Sequence, residues 1–181
     1  MFRGLVLVII ALFFLSWFLP WWSADVLVLG EDTVVIRPWG LENNMDEEMA
    51  AIIKGSEMPA YFAPLMWAYL GLSIALLVLG AFIKLKEIKL GKFKLTLSQL
   101  LIGGVGVSYI VVVALAVIIA SIRTGDYWDL KLIGYTYIDL GEPAVTGVEA
   151  GLLPGYWLAC LVGPLLIGLA LLRTKIVKTD Q

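Results

Sequence analysis

Four long apolar stretches without any Asp, Glu, Lys, Arg or His most constrain how this chain can fold. They cover residues 5–22, 61–83, 99–122 and 152–172. An α-helix needs about 20 apolar residues to cross a hydrocarbon layer about 30 Å thick. Each stretch therefore predicts a transmembrane helix. The composition agrees, because 61% of the residues are hydrophobic and the mean hydropathy is +0.94. We expect residues 1–181 to form one four-span membrane domain.

Charged residues are distributed unevenly over the segments between these stretches. The two ends of the chain and the loop 84–98 carry nine of the 13 basic residues but only two of the 15 acidic ones. The long loops 23–60 and 123–151 carry the remainder. Because Lys and Arg accumulate in cytoplasmic loops, we expect a multi-pass protein of the cell membrane. Both termini would be cytoplasmic and both long loops extracellular.

The first long loop has the pattern of a small folded unit. Residues 26–29 and 33–36 are aliphatic and rich in β-branched side chains, and they flank a turn with glycine and aspartate. This pattern predicts a β-hairpin. Asn44 and Glu47 form a variant of the capping box ahead of an apolar helical face, which predicts a short helix over residues 45–54.

The second long loop predicts another strand pair, over residues 127–133 and 135–140, with Gly134 as a turn or bulge. An isolated hairpin is barely stable in water, so we expect both loops to join into one antiparallel sheet. The predicted fold class is an all-α membrane bundle of four helices, with a small extracellular antiparallel sheet and one short helix. The loop 84–98 is either a small hairpin or an interfacial segment. Its five lysines would each attract anionic lipid by about 1 kcal/mol. The lysines favour a plain positive-inside signal over a specific lipid or protein site.

Small side chains recur every four residues near the fourth stretch, at Gly151, Gly155, Ala159 and Gly163. On one helix they would form a stripe that lets another helix approach closely. The third stretch offers matching small residues: Gly103, Gly104, Gly106, Ser108, Ala116 and Ala120. Two interpretations stay open. The stripe either packs spans three and four within one chain, or it forms an interface with a second copy or a partner subunit.

The residue types that most membrane chemistry requires are missing from the spans. The chain has no histidine and one cysteine, Cys160, so zinc, iron–sulfur and intramolecular disulfide sites lack their ligands. Proteins that move ions usually keep charged groups inside the bilayer. The outer acidic residues are scattered, which favours a solvated surface over a cation site. We expect no catalysis, no cofactor, no metal and no nucleic-acid partner. The scarcity of Asn and Gln is compatible with a thermophilic source.

Two short motifs carry a resemblance to a known family. Pro20-Trp21-Trp22 ends the first span, and Trp39-Gly40-Leu41 follows the predicted hairpin in the first long loop. With four spans, these residues resemble the claudin-type tetraspans. The resemblance implies that Trp22, Gly40 and Leu41 pin the extracellular sheet to the ends of the spans. The chain lacks the family's two cysteines in this loop, and Glu42 stands where the family has a second tryptophan.

These observations predict a non-catalytic scaffold or adhesion protein of claudin-like architecture, acting through helix packing and the outer sheet. Aromatic residues are enriched at the cores of interfaces. The expected contact platform consists of Trp39, Tyr127, Trp128, Tyr135 and Tyr137. The alternative is an accessory subunit that stabilises a larger membrane enzyme, transporter or secretion complex. The expected partners are membrane lipid and a protein, which is a second copy or another membrane subunit.

Overall fold

The computed structural model describes residues 2–27, 33–44, 58–83, 87–90, 93–128, 130–139 and 145–179. These residues form four helices and seven strands. The helices are α1 (Phe2–Phe18), α2 (Phe62–Phe82), α3 (Leu97–Trp128) and α4 (Pro154–Thr179). The strands are β1 (Trp22–Val26), β2 (Val34–Arg37), β3 (Gly40–Asn43), β4 (Glu87–Leu90), β5 (Phe93–Thr96), β6 (Gly134–Asp139) and β7 (Val145–Leu152).

Three helical segments are long and apolar enough to cross a membrane: Phe62–Phe82, Leu97–Asp126 and Pro154–Ile176. Helix α1 is also apolar but has 17 residues. Helices therefore form at all four predicted stretches, although their ends differ from the prediction. Helix α1 stops at Phe18, because a residue before a proline, here Leu19 before Pro20, disfavours the helical backbone.

The described residues group into two compact units. The helical unit comprises the described parts of Met1–Leu15, Trp67–Val113 and Leu158–Gln181. The sheet unit comprises those of Ser16–Met66 and Ala114–Trp157. Each helix contributes residues to both units, since a unit boundary falls within every one of them.

In the helical unit, each helix buries one stripe of side chains. On α1 the stripe includes Val6, Ile9 and Phe13, which recur at the three- and four-residue spacing of one helix face. Phe13 meets the buried ring of Tyr109 on α3 edge-on, with 4.3 Å between the ring centroids. Outside these stripes the helices expose large apolar side chains, such as Leu72 of α2. Helices that are apolar on every side are typical of a lipid environment.

The sheet unit contains a five-stranded antiparallel sheet in the order β3-β2-β1-β7-β6. Strand β1 is central and pairs with β2 from its own loop and with β7 from the other long loop. The prediction that both loops join into one sheet is confirmed. Of the first predicted hairpin, the run 33–36 largely forms β2. Strand β1 pairs with β2, with Ala24 opposite Val34, but β1 shares only Val26 with the predicted strand 26–29, whose last two residues lie outside the described residues. The residues of β1 have a weak intrinsic preference for strands. They form a strand because β1 is central and pairs on both sides.

The predicted pairing within the second long loop is wrong. Residues 127 and 128 end helix α3, and β6 pairs with β7, with Thr136 opposite Val148. Strand β7 contains two glycines and an alanine, residues that are depleted in strands, so its sequence gives a weak strand signal. Gly134 is not a hairpin turn. It begins β6 with a φ of 108°, in the region that favours glycine.

The loop between α2 and α3 contains a hairpin of β4 and β5, one of the two forms predicted for it. Thr96 ends β5 and caps α3. Its hydroxyl accepts a hydrogen bond from the Gln99 backbone N–H at 3.3 Å, and the Thr96 backbone N–H donates to the Gln99 side chain at 2.9 Å. This reciprocal capping box starts the helix. The short helix predicted over residues 45–54 lies outside the described residues.

Candidate functional site

The predicted stripe of small residues is not confined to one helix. Gly151 lies in β7 opposite Ser23, so its assignment to the stripe is wrong. Helix α4 begins only at Pro154, and proline is favoured at a first helical position. Gly155, in the sheet unit, packs against the turn that follows α1. A Cβ atom there would lie 2.5 Å from the Pro20 carbonyl oxygen, so the site requires glycine.

In the helical unit, Gly106 of α3 and Gly163 of α4 face each other. A Cβ atom on Gly106 would lie 2.9 Å from the Gly163 carbonyl oxygen, and one on Gly163 would lie 3.1 Å from the Gly106 carbonyl oxygen. Ala159, one turn before Gly163, is also buried. Helices α3 and α4 therefore approach each other through these glycines within one chain, as the first interpretation of the stripe predicted.

Two residues predicted for the same interface occupy other positions. Gly104 is exposed, and a Cβ atom built on it has nothing within 4 Å. The hydroxyl groups of Ser108 and Tyr69 share a hydrogen bond at 3.1 Å, which joins α3 to α2. Gly106, another of the third-stretch residues predicted to match the stripe, makes the close contact instead.

Trp22 anchors one face of the sheet. Its side chain is 1% exposed, and its indole N–H donates to the Leu132 carbonyl oxygen at 2.7 Å. Five other buried residues share this core: Ala24, Val26, Val34, Val148 and Ala150. Leu41 packs against the same core, and Gly40 pairs with Arg37 at the start of β3. Trp22 thereby ties β1 to the segment that leads from α3 into β6.

A second cluster attaches the β2–β3 hairpin to the end of α1. Arg37 donates to the Phe18 carbonyl oxygen at 2.6 Å and to the Glu42 carboxylate at 2.8 Å. Carbonyl groups at a helix end lack partners within the helix, and a cation there is favourable. Trp39 packs between these groups, with its ring centroid 5.6 Å from that of Phe18 and 5.9 Å from the Arg37 guanidinium carbon. The half-buried Trp39 therefore stabilises this hairpin, and the exposed tyrosines lie elsewhere on the sheet.

The exposed face of β6 carries two neighbouring tyrosines. Tyr135 and Tyr137 are 43% and 71% exposed, and their ring centroids are 5.0 Å apart in an edge-to-face arrangement. Side chains alternate along a strand, so both lie on the face opposite Trp22. The Tyr135 hydroxyl and the exposed Leu27 occupy the space over Gly147 of β7. We call Leu27, Tyr135 and Tyr137 the tyrosine face.

Two carboxylate-bearing residues share the side of the sheet that holds the tyrosine face. Glu149 is opposite Tyr135 in the register, and Asp25 is the next partner of Glu149 across β1. Partial removal from water and the neighbouring Tyr137 raise the pKa of the Tyr135 phenol above its ordinary value. The phenol therefore remains protonated at neutral pH and can donate a hydrogen bond. Among the described residues, no group of three or more His, Cys, Asp or Glu side chains could hold a metal ion.

Residues 127 and 128, both predicted for the contact platform, lie at the end of α3 and not on the sheet.

No protein-family model, curated protein or solved structure matches the chain. The two candidate contact regions are thus the tyrosine face in the sheet unit and the α3–α4 glycine contact in the helical unit.

We expect Gly106→Ala to destabilise the protein. The added Cβ would lie 2.9 Å from the Gly163 carbonyl oxygen and 3.0 Å from the Leu166 Cβ atom. Overpacking of this kind costs about 1–3 kcal/mol. Gly104→Ala is the matched control, because its Cβ meets nothing and alanine is the better helix former by about 1 kcal/mol. Thermal unfolding in detergent would compare them, and equal unfolding temperatures would contradict the close helix contact.

We expect Trp22→Phe to lower the stability of the sheet unit by about 1–2 kcal/mol, because it removes the hydrogen bond to the Leu132 carbonyl oxygen. Tyr137→Phe is the control, since it removes a polar group from a ring that is 71% exposed. Its effect should stay within about 0.5 kcal/mol. Denaturant unfolding in detergent, followed by circular dichroism, would measure both. An unchanged free energy of unfolding in Trp22→Phe would refute the anchoring role.

Proposed function

We propose that the chain is a non-catalytic scaffold or adhesion protein of the cell membrane that binds a protein partner through its tyrosine face. The observation that carries this proposal is the exposed pair Tyr135 and Tyr137 on a sheet whose other face is buried. Tyrosine offers a large contact area at a small cost in side-chain entropy. A sheet that is packed on one side holds such residues in place before a partner binds, which limits the entropy lost on binding.

The proposed membrane placement has four spans and places both termini in the cytoplasm. It adds α1 to the three helical segments that are long and apolar enough to cross a membrane. Helix α1 has 17 residues, a length of about 26 Å. A span slightly shorter than the hydrocarbon layer is accommodated by local thinning of the bilayer or by snorkelling of a flanking charge, here the exposed Arg3. The concentration of lysine and arginine in the loop 84–98 and at the chain ends supports this orientation. In this placement the tyrosine face is extracellular.

The proposed likeness to claudin-type tetraspans concerns architecture. Apolar helices combine with one sheet that is built from both long loops, and Trp22 lies in the core of that sheet. Cys160 of α4 is a free cysteine and the only one in the chain. Strand pairing and the Trp22 core therefore hold this sheet without a disulfide.

The partner is either a second copy or another membrane protein. Purification from native membranes in mild detergent, with the particle mass determined, separates the two. A particle at a multiple of 19.9 kDa would support self-association. A stoichiometric second protein that is needed for stability would favour the accessory-subunit function instead.

We expect the double substitution Tyr135→Ala and Tyr137→Ala to weaken association about tenfold or more, because exposed tyrosines at an interface core often contribute about 2 kcal/mol each. Tyr61→Ala is the matched control. Tyr61 is 70% exposed, close to the exposure of Tyr137, but it precedes α2. Cross-linking in native membranes and particle mass in detergent would measure association. The proposal fails if both variants associate as the wild type does.

We expect cysteine labelling to distinguish the two orientations. In a Cys160→Ala background, Asn44→Cys and Lys175→Cys place single thiols at two exposed positions. A membrane-impermeant maleimide added to intact cells should label position 44 at once and position 175 only after the membrane is permeabilised. The opposite order would reverse the proposed topology.

A further inference from the structure

A buried cation lies where one end of each helix meets the others, within the helical unit. Arg173 of α4 is 4% exposed. Its Nη2 atom donates to the Ile83 carbonyl oxygen after α2 at 2.9 Å, and its Nη1 atom donates to the Thr96 hydroxyl that caps α3 at 3.4 Å. Its guanidinium carbon is 5.1 Å from the ring centroid of Phe2 on α1. One side chain thus contacts elements at the ends of all the other helices.

The charge of this side chain lacks a counter-ion among the side chains that the structure describes. No described carboxylate forms an ion pair with Arg173. A guanidinium has five N–H donors, and the buried Nε atom has no hydrogen-bond partner in the described part of the chain. Burial of an unneutralised charge is costly unless a partner of opposite charge is present. Among the described side chains, none supplies a negative charge to Arg173.

One side of the Arg173 guanidinium contacts the partially negative C-terminal end of α2, whereas another side contacts a positive element. Helix α3 begins at Thr96 and Leu97, so its partially positive N-terminus faces the guanidinium, and its first turn holds no acidic residue. Helix N-termini normally attract anions. The Arg173 guanidinium and the N-terminus of α3 are both positive and both contact the Thr96 hydroxyl group. An anion bound between them would stabilise this arrangement.

We propose that this junction binds the phosphate group of an anionic membrane lipid, with Arg173 as its central contact. The planar guanidinium matches two phosphate oxygens, and such charge-assisted bonds are among the stronger ones in proteins. Arg173 lies three residues before the end of the candidate span Pro154–Ile176, near the depth of lipid headgroups. Because Arg173 is 4% exposed, a headgroup reaches it only when a covering side chain such as Phe2, in the first turn of α1, moves aside.

The test uses the full chain in mild detergent with three additions: phosphatidylglycerol, phosphatidylcholine and inorganic phosphate. We expect phosphatidylglycerol alone to raise the unfolding temperature and to remain bound in native mass spectrometry. An equal effect of phosphatidylcholine would overturn the requirement for an anionic lipid. An equal effect of inorganic phosphate would show a free-anion site and would overturn the lipid assignment.

Variants then test the residue. Arg173→Gln should reduce retention of phosphatidylglycerol about tenfold or more. Lys175→Gln removes the same charge from an exposed position two residues along α4, and retention should change little. If Arg173→Gln does not fold, Arg173→Lys replaces it. That variant keeps the charge but loses the two-pronged geometry, so retention should fall while some preference for the anionic lipid persists. Wild-type retention in the folded Arg173 variant, or equal losses in both positions, would overturn the site.

An internal counter-ion is the competing explanation, and Glu87 is the residue to examine. Its backbone is the register partner of Thr96 across the β4–β5 hairpin. The proposal expects Glu87→Gln to leave the phosphatidylglycerol effect intact. It is overturned if, without lipid, Glu87→Gln lowers the unfolding temperature as much as Arg173→Gln and the double variant unfolds no earlier.

Discussion

The pairing of β1 with β7 is the interaction on which the sheet unit depends. It joins Trp22 to Leu152, and so connects two loops that are far apart in the chain. Bringing distant segments together costs loop-closure entropy, and the buried core around Trp22 offsets that cost. The pairing also fixes the start of α4, because the Leu153 backbone N–H donates to the Trp21 carbonyl oxygen at 2.9 Å. Without this pairing, each loop would retain only a marginal hairpin.

A central β1 also explains why the tyrosine face is exposed. Alternation along the strands places Trp22 and its aliphatic neighbours on one face, and Tyr135 and Tyr137 on the other. Only one of these faces carries the described apolar core, so the tyrosines remain open to a partner. Gly147 has a direct part in this arrangement, since the absence of a side chain there leaves room for the Tyr135 hydroxyl.

The sequence predicted those features that depend on long or regular patterns. Runs of about 20 apolar residues identified the helices, and the β-branched run 33–36 identified β2. It failed where a local pattern fits two structures. The small residues Gly151 and Gly155 have helical spacing, yet Pro154 separates a strand from a helix between them. The glycines of β7 weaken its strand signal in the sequence. This strand forms because it pairs with β1 from the other loop, and a local pattern contains no information on such a pairing.

Arg173 shows a different limit of sequence patterns, because composition alone does not distinguish it from Lys175. Both are basic residues near the end of an apolar helix, and both count equally in the charge asymmetry that sets orientation. Only the packing separates them: Arg173 is buried among the ends of the helices, whereas Lys175 is exposed. A buried charge links the stability of the helical unit to whatever neutralises it. Lys175, two residues away, keeps its contact with solvent, which screens its charge.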